Sequence, residues 1–183
     1  MVPTLETRRL ILKPLELADA PQIQQLFPQW EIVKYLNAAS VPWPYPEDGA
    51  LTYCRDIALP EVERGESWYW TLRAKPASDE IIGLISLSKH PVENRGFWLA
   101  PHCQGKGLMT EACDTVTEYW FEVLNFPVLR VPKAIANVAS RRISQNQGMR
   151  VIATEEKEYV CGELLSETWE ITAEEWRERR RAK

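Results

Sequence analysis

The hexapeptide Gln104-Gly105-Lys106-Gly107-Leu108-Met109 joins a strand-like run to a long amphipathic helix. Just upstream, residues 97–99 read Phe-Trp-Leu, which is typical of a short apolar strand. Downstream, apolar residues recur at spacings of three and four, the pattern of a helix with one buried face. These residues are Leu108, Ala112, Val116, Tyr119, Trp120 and Val123. The sequence therefore predicts a glycine-containing turn that leads from a strand into the first turn of a helix.

This turn is suited to bind an anion. The first N–H groups of a helix lack partners within the helix, and the helix dipole is positive at that end. Gly105 and Gly107 let the backbone approach a phosphate closely, and Lys106 adds a cation. No P-loop string occurs in the chain, and Thr110 stands where a dinucleotide fingerprint needs its third glycine or alanine. A turn without any ligand is the alternative interpretation.

The order Gln-x-x-Gly-x-(small) at a helix start resembles the pyrophosphate loop of the GCN5-related N-acetyltransferase (GNAT) family. Met109 stands where the family usually has Gly or Ala. The phosphate needs only the backbone N–H of this residue, so the larger side chain is acceptable if it points into the core. A second stretch, Asn137 to Arg142 followed by Gly148-Met149, resembles the family's other signature. In relatives this Asn bonds the pantetheine arm and nearby basic groups reach the adenosine phosphates. Simple N-capping by Asn137 and Ser140 is the alternative.

Three further segments resemble the branch of ribosomal-protein alanine and serine N-acetyltransferases. They are Thr7 to Leu12, Pro42 to Pro46, and Trp169 to Thr172 with the following Glu174-Glu175-Trp176. The resemblance thus spans nearly the whole chain, and it implies an α/β (mixed α+β) fold in one domain, residues 1–183. We expect a central mixed, mostly antiparallel sheet of about seven strands, splayed in the middle, with helices on both faces.

The hydrophobic pattern along the chain predicts a compatible order of elements. Predicted strands lie near 9–15, 68–73, 81–89, 95–99, 129–136, 150–161 and 166–172, and predicted helices near 17–26, 30–36, 47–64, 107–124, 139–147 and after 172. Residues 41–46 are predicted to form a loop because of their prolines, residues 75–79 a turn, and Pro60 a possible bend. Pro132 conflicts with a central strand unless pairing has opened there.

The resemblance implies acetyl-CoA as donor and assigns its binding residues. They are Trp98, Leu99, Ala100, Gln104, Gly105, Lys106, Gly107, Leu108, Met109, Thr110, Asn137 and Arg142. The first three would offer free backbone groups to the pantetheine arm, as an added strand would.

Acetyl transfer requires a neutral amine, and aliphatic amines are mostly protonated near pH 7. A carboxylate within reach can remove that proton. Glu93 is the candidate base, with an ordinary turn residue as the alternative, since the named branch more often has its acid at the position of Asn94. Glu158 and Glu31 are weaker candidates for the base. Ser140 is the candidate acid for the departing thiolate and Tyr159 the second choice, although positioning alone could suffice.

Aromatic residues of the N-terminal third are candidates for the acceptor pocket. Trp30, Trp43 and Tyr45 could wall it, and packing of a long loop is the alternative. Trp68, Trp70, Trp98, Trp120 and Trp169 fall on predicted strands or helix stripes, and we expect them in the core.

Composition limits the remaining classes. The chain has 183 residues and a net charge of −4, which disfavours nucleic acid as a partner. No stretch is apolar enough for a membrane span, so a cytoplasmic protein is expected. The four cysteines and two histidines lack metal-type spacing, and the cysteines are expected to be reduced packing residues. The expected function is an acetyl-CoA-dependent N-acetyltransferase acting on a peptide N-terminus or a small amine, as a monomer or homodimer. Transfer of another acyl group, such as succinyl, and a non-catalytic acyl-CoA sensor are the alternatives.

Overall fold

The computed structural model describes residues 1–76 and 79–183, so the turn predicted at 75–79 falls partly outside the described residues. The strands are β1 Leu5–Glu6, β2 Leu10–Pro14, β3 Ser67–Ala74, β4 Gly83–Ser88, β5 Arg95–Leu99, β6 Val128–Ala134, β7 Arg150–Tyr159 and β8 Gly162–Thr172. The α-helices are α1 Ala20–Leu26, α2 Trp30–Val33, α3 Gly49–Tyr53, α4 Leu59–Glu63, α5 Leu108–Glu118, α6 Val138–Asn146 and α7 Ala173–Arg181.

The strands form two sheets that meet at β5 and β6. One sheet has five strands in the order β1-β2-β3-β4-β5, and the other has three in the order β6-β8-β7. Every paired neighbour is antiparallel. The predicted antiparallel architecture, opened in its middle, is confirmed. The additional strand, β1, spans only two residues and has no alternating pattern from which it could be predicted.

A short set of hydrogen bonds joins the two sheets. Asn94 donates its backbone N–H to the carbonyl of Arg130 at 2.8 Å. The backbone N–H of Arg130 in turn donates to Oδ1 of Asn94 at 2.7 Å. Farther along, β5 and β6 line the two sides of one cleft. The strands are therefore held together at one point and separate beyond it.

Pro132 lies where this separation makes a proline acceptable. Ile135 donates its N–H to Leu165 of β8 at 2.9 Å. Because alternate residues of a strand face opposite neighbours, the backbone of Pro132 faces β5 rather than β8. The N–H that proline lacks would have pointed into the open gap, so no ladder bond is lost. The predicted reason for tolerating Pro132 is confirmed.

Helices cover both faces of the five-stranded sheet. On one face α5 and α7 bury a large apolar cluster that includes Trp68, Trp70, Trp120 and Trp169. On the other face α1, α2 and α3 pack over a second cluster with Tyr69 and Leu84. Trp98 is only half-buried, and it packs against this second cluster. Four of the five tryptophans predicted in the core are thus buried, and Trp98 borders the cleft.

The helical segment predicted for residues 47–64 is present, but its irregularity precedes Pro60. A π-helical turn, Cys54–Ala58, joins α3 to α4, and Pro60 lies in the first turn of α4. A proline ring clashes with the carbonyl four residues earlier in a regular helix, and the wider turn relieves that clash. Among residues 1–76 and 79–183, no helix is both long and apolar enough to cross a membrane.

Candidate active site

The cleft between β5 and β6 has a volume of ≈ 620 Å³ and continues beneath α1 and α3. Its lining combines both open strands, the start of α6, the end of β7 and the helices of the N-terminal third. Polar, charged and tyrosine side chains of the lining include Tyr45, Tyr53, Glu61, Tyr69, Glu93, Arg95, Lys133, Asn137, Ser140, Glu158 and Tyr159. A ligand placed between the strands would therefore touch residues from both halves of the chain.

The predicted anion loop has the expected conformation. After a short 3-10 turn, Pro101–Cys103, the backbone passes through Gly105 and Gly107 at φ of 75° and 76°. Such angles favour glycine. No side chain caps the first turn of α5, so its leading N–H groups stay available to an anion. The side chain of Met109 is buried in the core, as the sequence predicts.

Two side chains hold this loop in place. Gln104 donates from Nε2 to the carbonyl of Leu99 at 2.9 Å, which ties the loop back to the end of β5. Arg9 donates from Nη1 to the carbonyl of Lys106 at 2.8 Å and forms an ion pair with Glu111 in α5. No role was predicted for Arg9, because its partners lie about a hundred residues away in the chain. Its guanidinium also brings positive charge to the anion loop.

The backbone of β5 presents alternate residues to the cleft. Ala100 donates its N–H to the carbonyl of Ile82, just before β4, at 2.7 Å. By the alternation of an antiparallel pair, Trp98 is also bonded to β4. The expectation that Trp98 and Ala100 offer free backbone groups is therefore wrong. By the same alternation, Leu99, which was predicted, and Phe97, which was not, direct their N–H groups toward the gap.

At the start of α6, Asn137 acts as the N-cap. Its Oδ1 accepts a hydrogen bond from the N–H of Ser140 at 3.3 Å, and both residues line the cleft. Ser140 is buried. Arg142 is exposed, and no ion pair with another described residue holds it. Capping and ligand contact are compatible here, because the Nδ2 group of Asn137 is not needed for the cap.

Glu93 lies at the cleft, but its carboxylate has a partner. Nζ of Lys157 lies 3.4 Å from Oε1 of Glu93. Glu158 also lines the cleft, and its side chain is exposed. Glu31 is exposed too, but it forms an ion pair with Lys34 at 3.0 Å and is not among the described lining residues. Glu93 as the general base, with Glu158 and Glu31 as weaker candidates for that role, stays a prediction.

The hydroxyl of Tyr159 is committed to a neighbour. It donates to Oγ of Ser166 at 2.8 Å, and burial raises the pKa of Tyr159. A phenol in this setting would have to break a buried hydrogen bond before it could give a proton to a ligand. Ser140 has no such competing bond with another described side chain and therefore remains the better candidate acid of the two.

The three aromatic residues assigned to the acceptor wall separate in the structure. Tyr45 lines the cleft and packs edge-on against Phe27, with ring centroids 5.1 Å apart. Among the described residues, Trp30 and Trp43 are not part of the lining; they pack on each other at 5.9 Å and remain exposed. The proline-containing loop directs Trp43 toward Trp30 instead of the cleft. Their predicted place in the acceptor wall is corrected accordingly.

Two buried cations lie on the α5–α6 side of the gap. Arg95 donates from Nη1 to Thr117 and Gln147, both at 2.7 Å, while its Nε and Nη2 have no partner among the described residues. Lys133 donates from Nζ to the carbonyl of Ser140 at 2.8 Å. Burial, with a smaller contribution from the charge of Arg95, lowers the pKa of Lys133 to about 7. Neither residue was singled out from the sequence, because strand residues of this type are usually exposed.

An opened α/β sheet with an anion loop at its edge defines the architecture of an N-acetyltransferase. The family model described as "Acetyltransferase (GNAT) domain" matches residues 9–150, more than half of the chain. The chain therefore belongs to the GNAT family, whose members are acyltransferase enzymes. The family predicted from the two sequence signatures is confirmed.

Individual relatives agree with this assignment. The chain is 29% identical over 146 residues to "Putative ribosomal N-acetyltransferase YdaF" of Bacillus subtilis (strain 168), a match that covers 76% of each chain. Among solved structures it is similar to RimL, the ribosomal L7/L12 alpha-N-protein acetyltransferase in complex with coenzyme A. There the TM-score is 0.80 at 13% identity, covering 94% of this chain and 99% of that one. Mycobacterium smegmatis RimJ in complex with CoA-disulfide gives a TM-score of 0.79 at 18% identity, with coverages of 96% and 91%. At such identities these structures establish the fold.

Proposed function

We propose that the protein is an acetyl-CoA-dependent N-acetyltransferase that acetylates a primary amine, and that residues 1–183 act as one domain. The observation that carries this proposal is the uncapped start of α5, which follows directly on β5, a strand that lines the cleft. A ligand with a pyrophosphate at one end and a slender arm at the other fits this arrangement. The arm follows the gap to the side covered by α1 and α3.

The residues present fit such a donor. The N–H groups of Leu108, Met109 and Thr110, with Gly105 and Gly107, would hold the pyrophosphate, and Lys106 and Arg142 supply mobile cations. The backbone of Phe97 and Leu99 and the amide of Asn137 would bond the arm. When bound, acetyl-CoA supplies an acetyl group on a thioester.

The residues of the chain prepare the acceptor. Glu93 would take the proton of the ammonium, directly or through one water, once the acceptor displaces Lys157. A backbone N–H in the gap would stabilise negative charge on the acyl oxygen. Ser140, at the start of α6, would give a proton to the departing thiolate. The acceptor is a peptide N-terminal α-amine or a small organic amine; the names of the relatives favour the first.

A second candidate is transfer of an acyl group that carries a carboxylate, such as succinyl. It rests on Arg95, whose Nε and Nη2 are buried without a partner among the described residues. Arg95 and the basic side chain of Lys133 lie beside the gap, and no carboxylate of a described residue lies within ion-pair distance of either. A carboxylate at the end of the acyl chain would satisfy these donors.

A thiol-release assay tests both candidates. Wild-type protein is incubated with acetyl-CoA or succinyl-CoA, each with short peptides of free N-terminus, with the same peptides N-terminally blocked, or with simple amines. We expect thiol release with acetyl-CoA that requires a free amine. Faster release with succinyl-CoA would favour the second candidate. If the protein binds acetyl-CoA but no amine causes thiol release, the protein is an acyl-CoA sensor domain instead of an enzyme.

A further inference from the structure

The carboxylate of Glu61 lies in the cleft without an ion-pair partner among the described residues. Glu61 of α4 lines the cleft and is half-buried. Its Oε2 accepts hydrogen bonds from Oγ of Ser67 at 2.9 Å and from the hydroxyl of Tyr69 at 3.0 Å. Among residues 1–76 and 79–183, no Lys, Arg or His lies within 4.0 Å of it, and Oε1 accepts no hydrogen bond from these residues. One oxygen is thus fixed, and the other is free for a ligand.

The groups around Glu61 are aromatic hydroxyls that stay protonated. Tyr69 donates to Glu61, so at the 3.1 Å contact between the two phenols Tyr53 must be the donor to Tyr69. Burial is the largest cause that raises the pKa of both Tyr53 and Tyr69. The two rings, with centroids 6.2 Å apart in an edge-to-face arrangement, line the cleft beside the carboxylate. A carboxylate between aromatic rings is an environment that binds organic cations.

The sheet register places this carboxylate away from the gap. Tyr69 is directly opposite Ser86, and Ser86 is directly opposite Gly96 of β5. All three residues face the same side of the sheet, and Ser86 and Gly96 also line the cleft. Two strand spacings separate Tyr69 from Gly96, a distance of about 10 Å. The absence of a side chain at Gly96 leaves the path between the two places open.

Charge is divided between the two sides of the gap. On the α5–α6 side, Arg95 and Lys133 are buried cations that point at residues of α5, α6 and their neighbours. On the other side of the sheet, Glu61 places a carboxylate that forms no ion pair with any described residue. An anionic donor and a cationic acceptor would therefore meet complementary charge as they approach from opposite sides.

We propose that Glu61, with Tyr53 and Tyr69, forms a subsite for a second cationic group of the acceptor, about 10 Å from the reacting amine. The acceptor class is then a primary amine that carries an ammonium or guanidinium at that distance. The inference rests on the proposed N-acetyltransferase function, because the reacting amine is placed at the gap between β5 and β6. It adds a recognition element that lies apart from Glu93 and Ser140.

Matched acceptors test the subsite. The diamine 1,8-diaminooctane is compared with 8-aminooctan-1-ol, which replaces one ammonium with a hydroxyl. The peptide Ala-Ala-Lys-amide is compared with Ala-Ala-norleucine-amide, so that polyamine-like and peptide acceptors are distinguished. Each is titrated calorimetrically into the protein saturated with coenzyme A, and each is assayed for its KM with acetyl-CoA. We expect the wild type to bind the dication of at least one pair about tenfold or more tightly than the matching monocation, with a correspondingly lower KM.

The variant Glu61→Gln keeps the size of the side chain and an oxygen that can accept from Ser67 and Tyr69. It should remove the preference for the dication and leave the KM of acetyl-CoA and of the monocation within about twofold. Glu63→Gln, an exposed change on the same helix, should retain the preference.

Three results would overturn the proposal: equal binding of dication and monocation by the wild type, equal loss for both acceptors in Glu61→Gln, or the same loss in Glu63→Gln. Binding preference without any acetyl transfer would retain the subsite and remove the proposed enzymatic function. Transfer without a preference would retain the function and remove the subsite.

Discussion

At the scale of single residues, the hydrogen bonds of Asn94 require an amide at this position. Its Nδ2 donates to the carbonyls of Ser88 and His90 at 3.0 and 2.6 Å, and its Oδ1 accepts from the backbone of Arg130. A carboxylate could not donate to two carbonyl oxygens. An acid at this position would therefore weaken the hydrogen bonds between Asn94 and Arg130 that join the two sheets.

Buried polar residues are where sequence reasoning had least success. Arg95, Lys133 and the half-buried Glu61 stand in ordinary strand or helix patterns, and each is hydrogen-bonded to a residue of another helix or strand. A hydrophobic pattern predicts which face of an element is buried, but it does not predict which polar groups the fold brings together. The N-cap Asn137 was predictable because its contact with Ser140 is local.

Lys133 should make stability depend on pH. Its pKa is about 7 in the folded protein and near 10.5 when unfolded. As the pH falls from 10.5 to 7, the unfolded chain takes up a proton that the folded chain does not, so stability decreases over this window and is constant below it. From pH 7 to pH 10 the free energy of unfolding of the wild type should rise by about 3 kcal/mol more than that of Lys133→Met.

Urea unfolding of both proteins at several pH values measures this difference. Because the two proteins share all other titratable groups, the difference between their curves isolates the contribution of Lys133. Parallel curves for the two proteins would show that Lys133 is not held in its neutral form.

At the scale of elements, the sequence predicted most of the strands and helices in their order. The bounds of β5 and α6 were predicted to within one residue, whereas β8 begins four residues before the predicted start at residue 166. The π-helical turns, Cys54–Ala58 and Tyr119–Val123, were not predictable, since a single extra residue per turn hardly changes the pattern. The two-residue strand β1 was missed for want of length.

The anion loop depends on a partner outside its own element. Arg9, just before β2, holds the carbonyl of Lys106 and the carboxylate of Glu111. Arg9→Gln should raise the KM of acetyl-CoA by about fivefold to tenfold through loss of a charge-assisted hydrogen bond, with little change in kcat. Steady-state kinetics with varied acetyl-CoA measures this.

The neighbouring Arg8→Gln provides the control for net charge, because Arg8 is exposed and no ion pair to another described residue involves it. Equal effects of the two substitutions would show that Arg9 acts only through its charge and does not position the loop.

At the scale of the whole molecule, function follows from the incomplete joining of two sheets. Asn94 fixes the sheets at one end, Pro132 faces the gap without losing a ladder bond, and α5 starts at the open edge. The sequence predicted this arrangement through two local signatures and the proline. It did not predict the shape of the acceptor side, because residues from α1 to β7 form that wall only after folding.

The central claim is that the loop before α5 holds the pyrophosphate of acetyl-CoA. Calorimetric titration of acetyl-CoA into the wild type, Gly107→Glu and Gly65→Glu tests it most directly. Gly65 has a similar φ of +68°, with open space around its Cβ position and no place in the cleft lining, so it controls for backbone strain. Circular dichroism confirms folding of each variant. We expect binding by the wild type and by Gly65→Glu, and none by Gly107→Glu. Equal affinity of Gly107→Glu and the wild type would contradict the account.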